Sequence, residues 1–574
     1  MATRASLVPF LEQSAYALLL MLALLFAFEP VRPAINLNGQ LVLSLVEALL
    51  MLALGAWLLA RSAARQWPTP PRALALPLVV WLLLLLASAL VAPEYRSHAI
   101  KFVARVLNGV LVGWMAYDMS QHPTRWQRLV QALALSGALV GLLGLAETWA
   151  VEPFAGWLSY FKHGTTTVGD IVRISSTLTY PTITAMVLEL TMPLLLAWAV
   201  TSTRGWQRLL LGALLVAGMA TLLLTLSRAG VVALALALTA MAVTALWRWQ
   251  IPGAGALVWG SGLAVGALAL LTLVLFIANP LIRLRLLSET EGNWYQARFE
   301  SRAIPPMEPS EIIQVPVLVQ NMSVRDWHLH GPQPFLLGYH LLLEDGTMVQ
   351  YDGARTLLEE AVPPGAVIEV QAYIIAPEEP GRYLIEWDML QNEVAWFSWK
   401  GAPTLRVPLT VLGESDDELP ILPPAPDIRI PAPTRGLLWR AAGQMVLERP
   451  LLGMGPDTFR LIYGRFVGLE QWDPNIHSNN LYIEWAATSG LLGLAAFLWW
   501  SRVLALALWQ GIRAQSEHWV WRVALGAALL SWYLHGLLDY FFEFTPTYVA
   551  FWLIVGLLMR AVEPTSTEAD AHSL

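Results

Sequence analysis

The feature of this sequence that most constrains its fold is a set of long apolar runs without a charged side chain. Four such windows lie at 73–92, 209–226, 229–247 and 254–278. A helix needs about 20 apolar residues to cross the hydrocarbon layer of a membrane. Only 13% of the 574 residues are charged, about half the fraction typical of soluble proteins. The sequence therefore predicts a multi-span membrane protein and excludes an ordinary soluble enzyme or a disordered chain.

Eight further apolar windows contain a charge or have one at an edge, and they raise the predicted count to twelve spans. These windows lie at 14–29, 40–60, 98–118, 127–149, 181–201, 481–501, 519–537 and 546–563. The predicted fold class is thus an all-α polytopic membrane protein with about twelve transmembrane helices. Helices 1–9 are expected within residues 1–282, and helices 10–12 with a cytoplasmic tail within 481–574.

The arginines of the short loops predict the orientation, because cytoplasmic loops carry an excess of positive charge. With the N-terminus inside, every predicted inside loop has at least one arginine. These are Arg61, Arg65, Arg72, Arg125, Arg128, Arg204, Arg208, Arg248, Arg502, Arg513 and Arg560. We therefore expect a multi-pass protein of the cytoplasmic (inner) membrane with both termini in the cytoplasm, and with the long insertion at 283–433 outside.

That insertion differs in composition from the rest of the chain. Residues 283–430 carry 22 of the 42 acidic and 10 of the 35 basic side chains, a net charge of −12 against +5 for the remainder. About seven short strands separated by turn signals predict an extracytoplasmic immunoglobulin-like β-sandwich with proline-rich flanks, the second at 419–433. The cluster of Trp387, Trp396 and Trp399 is interpreted as core packing in preference to a sugar-stacking surface.

Several basic residues lie on the predicted outer side, opposite to the loop arginines above, and Arg228 and Arg173 are the most informative of them. Arg228 interrupts two apolar spans in TLSRAGVV, and a charge near hydrocarbon is usually retained for function. Its alternative role is that of a snorkelling residue at a helix end. Arg173 lies in GDIVRISSTLTYPT, just before a span whose helix could begin at Pro181. A helix start favours an anion, although a simple capped loop is the commoner interpretation.

His477 also lies on the predicted outer side, in a segment of 434–480 that we interpret as a catalytic loop. Residues 435–448 predict a short amphipathic helix, which Gly453, Gly455 and Pro456 end. A neutral imidazole accepts a proton near neutral pH, but a lone loop histidine is more often an ordinary surface residue.

The surrounding motifs carry a family resemblance. The run ERPLLGMGPDTF followed by HSNNLYIEWAATSGLLG resembles the signature of the O-antigen ligase/polymerase family of integral membrane glycosyltransferases. TLSRAG and RISSTLTYPT resemble two other segments of that family, which usually has proline-asparagine where this chain has Pro181-Thr182. The resemblance implies a fold like that of the C-type glycosyltransferases. It also implies transfer of a glycan from undecaprenyl diphosphate to an acceptor hydroxyl on the outer membrane face, in surface polysaccharide biosynthesis.

The resemblance further implies roles for individual residues. His477 matches the family histidine proposed to activate the acceptor hydroxyl, and Arg173, Arg228 and Arg435 match arginines that would hold the diphosphate. Second-tier candidates near the same face are Asn480, Glu484, His535 and Asp539, of which the last two fit an inter-helix polar contact better. The expected partners are the lipid-linked glycan donor, a glycan, lipid or protein acceptor, and membrane lipids, without nucleic acid. No cofactor and no metal are expected, and the reaction is expected to invert the anomeric centre.

Several functions remain open at this level. A repeat-unit polymerase and a protein O-oligosaccharyltransferase share the chemistry of a ligase. A flippase for lipid-linked glycans would also place arginines near a diphosphate, but the sequence shows no inverted repeat. A scaffold that presents the β domain would leave Arg228 and His477 without a role.

Overall fold

The structure of this protein is a computed structural model that describes most of the chain. The described residues are 2–31, 35–37, 41–69, 72–149, 151–162, 164, 166–168, 171–287, 291–330, 333–392, 394–413, 433–469, 472–514 and 518–562. The chain divides into two compact units, one of Met1–Thr166, Arg173–Ala278 and Thr434–Leu574 and the other of Thr167–Val172 and Asn279–Pro433. The linker predicted at 419–433 lies, apart from its last residue, outside the described residues.

Sixteen α-helices occur among the described residues. They are α1 Ala2–Leu25, α2 Leu45–Ala64, α3 Arg72–Leu90, α4 Arg96–Met119, α5 Pro123–Glu147, α6 Phe154–Leu158, α7 Pro181–Thr201, α8 Gly205–Leu224, α9 Arg228–Trp247, α10 Ala254–Ala278, α11 Pro280–Leu287, α12 Arg435–Glu448, α13 Phe459–Phe466, α14 Leu481–Arg513, α15 Trp519–His535 and α16 Thr545–Val562. Ten of these helices are long and apolar enough to cross a membrane. The windows predicted at 73–92 and 519–537 coincide with α3 and α15, which are not among these ten. The structure thus supports about ten membrane helices, and the number twelve stays a prediction.

Helices α7 and α16 are the most enclosed helices of the first unit. In the apolar window of each of these two helices, 89% of the residues are buried, against 17% of the residues in the window of α10. Small residues permit the close approach of neighbouring helices. On α5, a Cβ built on Gly137 would overlap the side chain of Thr191 in α7, and one on Gly141 would lie 2.7 Å from the Cα of Gly218 in α8. Helix α7 is therefore held closely from several sides, and the segment before it is brought to a defined place.

Helix α14 is interrupted at Gly490, and a second segment of chain fills the interruption. Gly490 has φ 71° and ψ 179°, a conformation that residues with a Cβ rarely adopt. The segment after α12 runs along the break. The N–H of Leu491 donates to the carbonyl oxygen of Pro450 at 2.8 Å, and the N–H of Gly455 donates to that of Thr488 at 2.8 Å. These bonds satisfy backbone groups that the broken helix leaves free.

Short antiparallel strands occur in both units. Residues 35–172 contain β1 Ile35–Leu37, β2 Leu41–Leu43, β3 Thr167–Val168 and β4 Ile171–Val172, paired β1 with β2 and β3 with β4. Residues 291–413 contain β5 Ala297–Ser301, β6 Ile312–Asn321, β7 Phe335–Leu343, β8 Met348–Gln350, β9 Thr356–Leu357, β10 Val367–Ile375, β11 Gly381–Gln391, β12 Ala395–Trp396 and β13 Leu405–Val411. One sheet has the order β10-β6-β5, and the other has the order β12-β11-β7-β8, with β13 beside β11 and β9 beside β7.

Alternating burial along the strands explains why this region folds as sheets. In β6, Val315 and Val317 are buried while Leu318 between Val317 and Val319 is exposed, the period-two pattern of a half-buried strand. Trp387 and Trp396 are buried, which agrees with their interpretation as core residues. The region is β-rich and built from two antiparallel sheets, and the immunoglobulin-like topology stays a prediction.

Candidate active site

Asp457 lies in a strained turn. This turn comes directly after the segment that fills the break in α14. Gly455 has φ 112° and Asp457 has φ 62°, and the second value is uncommon for a residue with a side chain. A Cβ on Gly455 would lie 2.8 Å from the Cβ of Ala92, so this glycine permits the close packing. The Thr458 hydroxyl donates to the Gly455 carbonyl oxygen at 2.7 Å. The turn therefore holds the buried Asp457 carboxylate in one place.

His477 precedes α14, and each of its ring nitrogens faces a carboxylate. Nδ1 lies 2.9 Å from Oε1 of Glu484, and Nε2 lies 2.6 Å from Oε2 of Glu543. Glu484 is in the first turn of α14, where its second oxygen accepts the backbone N–H of Ser478 at 2.8 Å. Glu543 comes from the loop between α15 and α16. The histidine is thus clamped between a carboxylate of its own segment and one from 66 residues further along the chain.

Asn480 is the N-cap of α14 and explains why the histidine loop ends where it does. Its side-chain oxygen accepts the N–H groups of Tyr482 and Ile483, both at 3.0 Å, which satisfies two of the free donors at a helix start. Its amide nitrogen donates to the Leu537 carbonyl oxygen at 2.7 Å. Asn480 therefore has a structural role that ties the loop between α15 and α16 to the start of α14.

Asp457 connects His477 to two further side chains, those of His98 and Arg460. Nε2 of His98, in α4, lies 2.5 Å from Oδ2 of Asp457. Arg460, in α13, lies 3.3 Å from Asp457, and its Nε lies 3.6 Å from Oε1 of Glu543. Oδ1 of Asp457 is also 3.7 Å from Nε2 of His477. Three carboxylates, two histidines and one arginine from α4, α13, α14 and their adjoining loops thus form one ion-paired cluster.

The charges of this cluster shift the ionisation of its members. Burial alone would lower the pKa of His477, but the carboxylates of Glu484 and Glu543 outweigh it and raise that pKa well above its ordinary value. Burial would raise the pKa of Asp457, but His98, His477 and Arg460 hold it below its ordinary value. The pKa of Glu543 is lowered against its burial, chiefly by the hydrogen bond to His477. At neutral pH the cluster therefore contains the imidazolium of His477 beside the ionised carboxylates of Asp457 and Glu543.

Asp457, His477 and Glu543 are also the one group of metal-ligand type found in the described part of the chain. One ligand atom from each lies within 4.8 Å of the other two. Arg460 already approaches two of these three residues with its guanidinium, and His477 faces carboxylates with both nitrogens. The donor set therefore fits a charge-balanced ion-pair cluster better than a metal cage.

Arg173 and Arg228, both predicted to bind a diphosphate, meet at the turn between α8 and α9. Nε of Arg173 donates to the Thr225 carbonyl oxygen at 2.8 Å. Arg228 is the first residue of α9, whose N-cap Ser227 accepts the N–H of Gly230 at 3.3 Å. The structure therefore joins the two segments TLSRAG and RISSTLTYPT, which are about 50 residues apart in sequence.

Arg435 lies beside the loop that carries Glu543. Its Nη2 donates to the Leu538 carbonyl oxygen at 3.1 Å. The preceding His535 pairs through Nδ1 with Oε1 of Glu189 in α7, at 2.8 Å and fully buried. A Cβ on Gly230, in the first turn of α9, would lie 2.6 Å from the same Glu189 oxygen. Gly230, two residues after Arg228, therefore lies against Glu189, and Leu538, which accepts from Arg435, donates its backbone N–H to the carbonyl oxygen of His535.

The other second-tier candidates have different environments. Glu484 contacts His477 directly, as described above. His535 makes the polar contact to Glu189 of α7 that is described above. Asp539 accepts the backbone N–H of Tyr540 at 2.9 Å, and the Tyr540 ring lies 4.8 Å from the His477 ring.

Four residues of the cluster were not singled out from the sequence: His98, Asp457, Arg460 and Glu543. Asp457 lies inside the GMGPDTF run, but nothing in that run indicates a histidine partner. Glu543 could have been found as an acidic residue directly before an apolar span, where a charge is costly and usually functional. His98 and Arg460 carry no such signal, because a histidine or arginine at a helix start is ordinary.

Comparison with known proteins finds a family match in the segment that contains Asp457, His477 and Glu484. Residues 430–498 match the model of a family described as O-antigen ligase. No significant match was found among curated proteins. Among solved structures, the PapD-like domain 7 of human CEP192 is 16% identical, with 23% of this chain and 92% of that chain covered and a TM-score of 0.13. An alkylpurine DNA glycosylase of Pseudomonas fluorescens bound to DNA is 10% identical, with 60% and 100% covered and a TM-score of 0.14. TM-scores this low carry no structural argument.

Proposed function

We propose that this chain is a membrane glycosyltransferase of the ligase type, because its residues 430–498 match the model of the O-antigen ligase family. It transfers a glycan from undecaprenyl diphosphate to an acceptor hydroxyl at the outer face of the cytoplasmic membrane. One observation carries the proposal: the matched segment contains Asp457, His477 and Glu484, three residues of a single buried charged cluster. Perturbed ionisable groups gathered in this way are typical of catalytic sites.

The proposed reaction is a displacement at the anomeric carbon of the donor. The acceptor oxygen forms a bond to that carbon while the bond to the diphosphate oxygen breaks, and the configuration inverts. Arg173, Arg228 and Arg435 bind the diphosphate and stabilise the charge that develops on it, because guanidinium groups pair with phosphate oxygens in a fixed fork geometry. Gly230, two residues after Arg228, and Leu538, which accepts from Arg435, both lie beside the Glu189–His535 pair, and this supports a common ligand for these arginines.

The proton of the acceptor hydroxyl is taken up in the cluster around His477. His477, the catalytic residue expected from the sequence, is its central member. The reaction is proposed to need no metal ion, because Arg460 and His477 already pair with the carboxylates of the cluster.

Glycan transfer by the full-length protein in proteoliposomes tests the proposal. The donor is the isotope-labelled lipid-linked glycan of the native membranes, and the acceptors are the lipid and protein fractions of the same cell envelope. Wild-type protein should release undecaprenyl diphosphate and form labelled product. His477→Ala should reduce the transfer rate by about 100-fold or more, whereas Arg465→Ala, at an exposed residue in the last turn of α13, should retain it.

The outcomes separate the alternatives. Labelled glycan on a lipid or protein identifies a ligase or a protein glycosyltransferase, and joined repeat units identify a polymerase. A change in donor sidedness without product would indicate a flippase and would overturn the proposal. Undiminished transfer by His477→Ala would remove that residue from the reaction.

A further inference from the structure

We propose that the carboxylate of Glu543, and not the ring of His477, takes the proton from the acceptor hydroxyl, while His477 and Glu484 position Glu543. This inference rests on the proposed function and names the proton-accepting atom within it. Nothing in the sequence motifs points to Glu543, which lies outside the segment matched by the family model.

The first argument is that His477 has no nitrogen directed to a substrate. A general base needs a lone pair within hydrogen-bond reach of the proton that it removes. Nδ1 is engaged by Glu484, whose side chain is 0% exposed, and Nε2 is engaged by Glu543. Because a carboxylate accepts and does not donate, both ring nitrogens donate N–H. The raised pKa of His477 agrees with this doubly protonated form.

The second argument is that Glu543 is the most exposed of the three hydrogen-bonded residues Glu484, His477 and Glu543. Its side chain is 24% exposed, against 5% for His477. Oε2 accepts from His477 at 2.6 Å, whereas the ion pair of Oε1 among the described residues is the longer contact of 3.6 Å to Arg460. A carboxylate has about four lone-pair sites, so Oε1 retains capacity to accept the proton of a hydroxyl group.

The third argument is that the backbone around Glu543 is well supported. The N–H of Leu481 donates to the Gly536 carbonyl oxygen at 2.7 Å. The Thr547 hydroxyl donates to the Phe541 carbonyl oxygen at 2.6 Å. A catalytic group held by such contacts stays close to its working geometry.

Glu543 also faces the segment that is proposed to bind the donor. The next residue, Phe544, packs edge-on against Tyr180 with ring centroids 6.0 Å apart. Tyr180 is the N-cap of α7, seven residues after Arg173. Burial and the charge of Glu543 raise the pKa of Tyr180. Glu543, a member of the His477 cluster, is thus adjacent in sequence to a residue that contacts the segment RISSTLTYPT, which is proposed to bind the donor.

The complete step balances. The acceptor oxygen bonds to the anomeric carbon, its proton passes to Oε1 of Glu543, and the electron pair of the broken bond leaves on the diphosphate. A carboxylate plays the same part in inverting glycosidases, where it removes a proton from the attacking water. His477 stays protonated throughout and stabilises the ionised form of Glu543 before the step.

Transfer to an acceptor that carries no proton does not need a base. Comparing it with transfer to a hydroxyl acceptor therefore shows whether a residue acts as the base or only supports the structure. Azide is an anion and attacks the anomeric carbon without deprotonation. In proteoliposomes with the labelled native donor, Glu543→Gln should lose about 100-fold or more of its transfer to the envelope hydroxyl acceptors but keep azide transfer within about threefold of wild type. Glu94→Gln, which removes the exposed partner of Arg465, is the matched control and should keep both activities. Should Glu543→Gln not fold, Glu543→Ala, which also lacks the carboxylate, takes its place with the same expected split between acceptors.

The pH profile supplies a second readout. The charged and titratable groups that face Glu543 are His477, Arg460, Asp457, Tyr540 and Tyr180. With Glu543 as the base, hydroxyl transfer should hold as the pH falls from about 7.5 to about 5.5, because Glu543 stays ionised. A histidine base would lose activity over that range as it becomes protonated.

The results that overturn the inference differ from those that overturn the proposed function. Near-wild-type hydroxyl transfer by Glu543→Gln, equal loss with both acceptors, or a decline of wild-type activity between pH 7.5 and pH 5.5 would reject Glu543 as the base. If the wild type releases no undecaprenyl diphosphate with either acceptor, the proposed function itself is wrong.

Discussion

Gly490 and Leu451 touch backbone to backbone: a Cβ built on Gly490 would lie 2.2 Å from the Leu451 carbonyl oxygen. Leu451 belongs to the segment after α12 that fills the break in α14. Asp457 lies on the same segment, four residues after Gly453. A Cβ on Gly453 would in turn lie 2.6 Å from the Gly490 nitrogen. The two glycines therefore permit a close packing of chain segments on which the geometry of the cluster depends.

Gly490→Ala should destabilise the protein by about 3 kcal/mol or more, because alanine disfavours the positive φ and its methyl group would overlap backbone atoms that cannot move aside. Thermal unfolding of the purified protein in detergent measures the effect. Gly443→Ala is the matched control, since this α12 glycine has no atom within 4 Å of the added Cβ. The control should be neutral or stabilised by up to about 1 kcal/mol. Equal melting temperatures for the two variants would contradict the packing argument.

The stability of the protein should depend on pH in two windows. The raised pKa of His477 contributes stability below the ordinary histidine pKa, and this is lost as the pH rises through the raised value. The lowered pKa values of Asp457 and Glu543 contribute stability above ordinary carboxylate pKa values, and this is lost as the pH falls through the lowered values. Melting temperatures should therefore be highest between about pH 5 and pH 7.

His477→Gln isolates the alkaline window. The variant removes the imidazolium but keeps a side chain that can hydrogen-bond to a carboxylate. Its melting temperature should be lower at pH 6 and should fall less steeply above neutral pH than that of the wild type. Parallel curves for the two proteins on the alkaline side would show that His477 is not the group that titrates there.

Arg228→Ala and Arg435→Ala should each weaken binding of the lipid-linked diphosphate about tenfold or more, because a charge-assisted hydrogen bond contributes about 1.5–3 kcal/mol. Acceptor affinity should change little. Arg465→Ala is the control, since that arginine pairs with Glu94 at 2.5 Å and both side chains are about half exposed. Donor affinity is measured by competition with undecaprenyl diphosphate, and acceptor affinity is measured from the KM for transfer. Equal losses for donor and acceptor would argue against the assigned roles.

Removal of divalent cations with EDTA should leave transfer unchanged, because Arg460 approaches two of the three residues that could otherwise hold a metal ion. The assay compares initial rates before and after chelation, with added Mg²⁺ and Mn²⁺ as separate conditions. A loss on chelation that either ion restores would assign Asp457, His477 and Glu543 to a metal site.

Much of this architecture follows from local sequence. Apolar windows of about 20 residues predict membrane helices without reference to tertiary contacts, because each helix satisfies its own backbone hydrogen bonds. The alternating strands of the insertion and the helix at 435–448 are local patterns in the same sense, and the latter is observed as α12. His477, Asn480 and Glu484 lie within eight residues of one another, so one motif contains the histidine, the helix cap and the buried carboxylate.

The partners of His477 and Asp457 depend on the tertiary structure. Glu543 is 66 residues from His477, and His98 is 359 residues from Asp457. Sequence spacing says nothing about contacts over such distances, because helix packing and the filled break in α14 determine which loops meet. The sequence by itself determined a membrane protein with a histidine motif of known family type. Only the tertiary structure decided that this histidine is held between two carboxylates, and its charge follows from that contact.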